Sequence, residues 1–76
     1  MIERKGKARM GATEDFRGLI ELAIREEQKA QRLYQDLAAK VEDSYAKAIL
    51  EGLHEQEVLH EEKLRDLLAS IQPGSG

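Results

Sequence analysis

No cysteine occurs in the 76 residues. That excludes disulfides, iron–sulfur ligation and any iron centre held by four thiolates. Proline occurs once, tryptophan is missing, and aromatics make up only 4% of the chain. So few aromatics argue against a β-sandwich and against the base-stacking surfaces of nucleic-acid modules. Charge is not strongly of one sign either, and a net −3 gives no reason to expect DNA as a partner. No apolar run approaches the roughly 18 residues of a membrane span, and no signal-peptide core is present. The expectation is a soluble, cytoplasmic chain with no nucleic-acid and no membrane partner.

What is present is charge, at 36% of residues, in a background rich in Ala, Glu, Leu, Lys and Arg. That is the composition of long helices or coiled coils. A chain this short makes one domain and buries a marginal core, which a metal or oligomerisation must supplement when disulfides are excluded. Residues 1–12, with Arg4, Lys5, Lys7 and Arg9, show no periodicity and read as a mobile basic arm. Residues 13–71 read as a helical hairpin. Thr13 is a candidate N-cap, with Glu14 and Asp15 complementing the dipole of the first turn. The apolar period then runs from Phe16 to about Lys40. Val41-Glu42-Asp43-Ser44 reads as the turn, with Asp43 or Ser44 capping a second helix from about Tyr45 to Ser70. Residues 72–76 read as a flexible tail, begun by a proline that cannot continue a helix.

Two helices of this length joined by so short a turn form an antiparallel hairpin. Each carries one seam at heptad spacing. The first is Phe16, Ile20, Ala23, Glu27, Ala30, Tyr34, Leu37 and Val41. The second is Ala46, Leu50, Leu53, Glu57, His60, Leu64, Leu67 and Ile71. Only Glu27, Glu57 and His60 break these seams with groups that are costly to bury without compensation. Glu27 stands about 16 residues before the middle of the turn, and the Glu57–His60 pair about 16 after it, so a rise of about 1.5 Å per residue brings all three to one height.

Glu-x-x-His places a carboxylate and an imidazole on one helical face. Di-iron carboxylate bundles use one Glu from each of two helices and Glu-x-x-His from each of two others. One copy of this chain supplies half of that set in Glu27, Glu57 and His60. Two copies in a four-helix bundle supply all of it and close the core that a lone hairpin leaves open. Carboxylate and imidazole suit iron, and equally manganese or zinc. Polar seam residues that fix coiled-coil register are the competing explanation, and they would make the chain a non-catalytic dimerising module. Three such residues at one height, two in the Glu-x-x-His step, favour the metal.

Other residues carry weaker signals. Tyr34 lies two turns beyond Glu27 on the same stripe. Its hydroxyl either bonds a metal-bound carboxylate from across the bundle or simply reaches the rim of the core. Glu26 and Glu61 adjoin the ligands, but in so glutamate-rich a chain they read as solvated rather than as stations for metal in transit. His54 reads as a surface or hydrogen-bonded residue. Gly52 costs about 1 kcal/mol in a helix interior and suggests close helix approach. Leu22, Leu33 and Leu59 fall toward the outer faces and suggest a second interface.

The pattern Glu27-x6-Tyr34 with Glu57-x-x-His60 resembles the rubrerythrin branch of the ferritin-like superfamily over about residues 14–70. The stretch Ala46-Lys47-Ala48-Ile49-Leu50-Glu51 followed by Glu57-Val58-Leu59-His60 resembles in particular the two-helix encapsulated ferritins, a "half ferritin" type. The resemblance implies a di-iron centre built across a subunit interface, with Glu27, Glu57 and His60 as ligands. It implies ferroxidase activity serving iron storage or detoxification, ring-shaped homo-oligomers, and work inside an encapsulin shell. Rubrerythrin-like peroxide scavenging at the same centre is the alternative. Two departures stand out. Lys29 occupies a position where that type carries an acidic residue of an accessory uptake site. The stretch Ile71-Gln72-Pro73-Gly74-Ser75-Gly76 does not look like a shell-targeting peptide.

Overall fold

The computed structural model describes residues 12–71. They form two α-helices and no strand, α1 at Ala12–Lys40 and α2 at Ser44–Ser70, packed against each other as an antiparallel hairpin. The basic-arm and tail expectations fall outside the described residues, except that Ala12 is already helical. Thr13, expected as an N-cap, lies inside α1. Alanine is a strong helix former, so the helix can run past the apolar period. Glu14 and Asp15 do occupy the first turn.

Three residues, 41–43, connect the helices. Of the two candidate caps, Asp43 takes the role. Its backbone is extended, and its carboxylate accepts from the Ala46 N–H at 2.7 Å, satisfying one of the donors a helix start leaves unpaired. A reciprocal pair of cations ties the two ends of the hairpin, one beside the turn and one at the open end. Lys47 on α2 donates to the Ala38 carbonyl at 2.7 Å, near the end of α1. Arg17 on α1 donates to the Leu68 and Ile71 carbonyls at 3.2 and 2.8 Å, at the end of α2. Each helix thus places a positive charge on the partner's negative dipole end, where the last carbonyls lack helical donors.

The core is thin. Ile20, Ile24 and Ala38 are the buried apolar side chains, at 4, 5 and 7% exposure, and no residue of α2 is fully buried. The expected seam therefore does not coincide with the contact between the helices. Phe16, Leu37 and Leu67, all seam members, are 40–49% exposed, whereas Ile24 and Ala38, outside it, are buried. The reason is geometric. Two helices can cover only one stripe of each other, and that stripe runs along one margin of the seam. At 100° per residue, Ile20, Ile24 and Ala38 fall on one side of Glu27. Phe16, Leu19, Ala23, Ala30 and Leu37 fall on the other. On that other side Phe16, Leu19 and Leu37 are 40–63% exposed, an apolar face that α2 leaves largely open.

A Cβ at Gly52 would meet no atom within 4 Å, so this glycine does not serve the approach of α1 and α2 that its mid-helix place suggests. Leu22, Leu33 and Leu59 are exposed, at 45–53%, as their outer positions require. No helix among the described residues is long and apolar enough to cross a membrane.

Candidate metal centre

Glu27 sits near the middle of α1, and Glu57 and His60 sit one turn apart near the middle of α2. The antiparallel register brings them together. One ligand atom from each lies within 4.8 Å of the others. His60 Nδ1 is 3.4 Å from Glu57 Oε1 and 3.6 Å from Glu27 Oε1. Both distances are long for a hydrogen bond. They are close to what a common ion requires: two ligands each about 2.1 Å from a metal stand roughly 3.0–3.5 Å apart at adjacent positions, which the 3.4 Å pair meets and the 3.6 Å pair just exceeds.

Burial separates the three. The side chains of Glu27 and Glu57 keep 24% and 20% of their exposure, and His60 keeps 53%. Glu27 Oε1 is stripped of solvent and has no hydrogen-bond partner among the described residues. A dry carboxylate oxygen facing a second carboxylate is unfavourable unless a cation joins them. The donor set fits such a cation, because two carboxylates and an imidazole are the ligands of iron, manganese and zinc.

His60 shares its side of α2 with exposed Ile49 and Leu67. Glu27 marks the boundary between the buried side of α1 and its open apolar side. The candidate centre thus opens onto the same face, on which His60 keeps 53% exposure.

Tyr34 is half-buried and does not join the cluster within the chain. It lines a cleft of about 300 Å³ with Gln35, Ala38, Lys47, Glu51 and His54, toward the turn. Glu26 pairs with Lys29 at 3.1 Å on the surface. Glu61 is not the solvated residue its surroundings in sequence suggest. Its side chain keeps 16% exposure and takes Gln31 Nε2 on Oε1 at 2.7 Å. On Oε2 it takes Gln28 Nε2 at 3.0 Å and Arg65 Nε at 2.8 Å. The amide of Gln31, followed by the Arg65 guanidinium and the amide of Gln28, outweighs burial and holds the carboxyl below its ordinary value of 4.5. Sequence reading misses this network because glutamines off the heptad seam carry no periodic signal.

Neither a curated protein nor a solved structure matches the chain. A family model described as rubrerythrin matches residues 3–75, spanning both helices and all three residues of the cluster. With a Glu on one helix meeting Glu-x-x-His on the next, the chain belongs to the rubrerythrin family, a ferritin-like group whose members typically bind iron.

Proposed function

We propose that two copies of this chain pair through their open faces and complete a di-iron carboxylate centre that oxidises Fe²⁺ with dioxygen or peroxide. The observation that carries this reading is Glu27 Oε1, dry and unpartnered beside Glu57 and His60. A two-fold related copy would add the same three residues, giving four carboxylates and two imidazoles. The carboxylates offset the charge of two Fe²⁺, and the neutral imidazoles complete the ligand set. Fe²⁺ is the substrate. Each ion gives up one electron, and a pair of ions passes two to the oxidant. Tyr34, two turns from Glu27 on α1, is assigned to the partner's half of the centre, its hydroxyl bonding a ligand carboxylate across the bundle.

A dimer of hairpins encloses no space for mineral, so ferric product must pass to a larger ring or a shell. An encapsulin-type compartment is the partner this reading calls for. The same centre, given an external reductant, would instead consume peroxide.

Native mass spectrometry during anaerobic Fe²⁺ titration tests the proposal. Two irons per dimer, with oxygen uptake on later aeration that Glu57→Ala abolishes, is the expected result. Assembly that ignores metal, with irregular iron numbers, would reduce the chain to a non-catalytic dimerising module. Parallel titrations with Mn²⁺ and Zn²⁺ settle the metal.

A further inference from the structure

The Glu61 carboxylate is the unexplained chemical feature beside the centre. It follows His60 directly and lies one turn beyond Glu57, where side chains are about 5–6 Å apart at Cβ. It is no more exposed than Glu57, at 16% against 20%. By composition and burial it is as good a metal ligand as Glu57. What distinguishes the two is donors. Glu61 receives Gln31 on one oxygen and both Gln28 and Arg65 on the other. No donor with hydrogen-bond geometry is found on the carboxylate of Glu57 among the described residues, where His60 Nδ1 at 3.4 Å is the near group.

From this we infer that Gln31, helped by Gln28, is a positioning residue that sorts the carboxylates of α2: it occupies Glu61 and so leaves Glu57 as the ligand. The inference rests on the metal reading above. Gln31 is one turn after Glu27 on α1, as Glu61 is one turn after Glu57 on α2. Its amide also reaches the Glu57 carbonyl at 3.4 Å. One α1 side chain thus spans both turns of α2, tying down the acid that must not bind while the ligating acid stays free. Remove the amide, and a half-buried carboxylate loses a donor beside a cation. An unpaired buried acceptor is costly, and a metal ion next to it is the strongest replacement partner.

The test uses Co²⁺ with the full chain, read by ligand-field absorption and by metal count in native mass spectra. Wild-type protein is expected to bind one Co²⁺ per chain. Gln31→Ala should weaken binding by about 10–100-fold, the usual effect of losing a group that orients ligands, and should change the absorption envelope as Glu61 enters the coordination shell. The double variant Gln31→Ala/Glu61→Gln should recover the wild-type spectrum, since the competing carboxylate is gone. A purely structural role for Gln31 predicts no such recovery, and that outcome would overturn the inference. So would a Gln31→Ala spectrum and affinity equal to wild type. If wild-type protein itself gave no Co²⁺ spectrum, the metal reading would fall, and this inference with it. Far-UV circular dichroism of each variant confirms that the hairpin is folded.

Discussion

Glu27 is the residue on which the metal reading leans most. Its Oε1 is dry and makes no hydrogen bond among the described residues, with His60 Nδ1 at 3.6 Å the near group, so in the metal-free chain it should work against folding. Glu27→Leu should therefore raise the thermal stability of metal-free protein while removing metal binding. The gain should be about 1 kcal/mol, near the low end for an unsatisfied buried group, since the side chain still keeps 24% exposure. Calorimetry with and without Fe²⁺ reads both effects, and a loss of stability in the metal-free variant would contradict this account. Glu61 gives the opposite sign. Gln31 above all, then Arg65, lowers its pKa in the fold. A depressed carboxyl contributes stability that is present above the unfolded value and lost as pH falls through the lower, folded one. Metal-free protein should thus lose stability as the pH drops below about 4.5, and Glu61→Gln should remove part of that slope in acid melts.

At the scale of the element, the hairpin depends on its ends. Asp43 sets the first turn of α2 through a 2.7 Å bond to Ala46. Asp43→Ala should cost about 1 kcal/mol, which for a domain of this size lowers Tm by about 4–8 °C. Asp43→Asn should lose far less, because an amide oxygen still accepts. A melt in which alanine and asparagine behave alike would show that the cap is idle. The helix boundaries were largely legible beforehand: the turn at Val41–Ser44 follows from the break in periodicity, and Asp43 was one of two candidate caps. The start of α1 was not legible, because Ala12 lies before the apolar period that marks the helix in the sequence. The cross-helix caps from Lys47 and Arg17 were not legible either, since they depend on which ends the antiparallel packing sets side by side.

For the whole molecule, the decisive feature is the apolar face left bare. Phe16, Leu19 and Leu37 on α1, with Ile49 and Leu67 on α2, are 40–63% exposed and share the sides that carry Glu27 and His60. Scattered exposed leucines need no explanation, but exposed apolar residues flanking the candidate centre on both helices are where the proposed dimer would have its interface. Leu19→Glu costs the isolated hairpin little, because Leu19 is 63% exposed there. In solution it should shift the chain to monomer and leave metal uptake at or below half occupancy, as read by native mass spectrometry. An unchanged assembly would place the interface elsewhere, with the outer leucines Leu22, Leu33 and Leu59 the next to test.

The sequence by itself determined the element types, the turn and which three costly groups stand at one height. Helical periodicity is local, and Glu27, Glu57 and His60 betray themselves as costly groups in apolar seams whose equal distances from the turn need only the rise per residue. The tertiary structure decided how each seam divides between a covered and an open side, because two helices can shield only one stripe of each other. It also decided that Glu61 is tied down while Glu57 stays free. That choice depends on donors from Gln28 and Gln31 on the other helix, and their reach is fixed by how the helices pack.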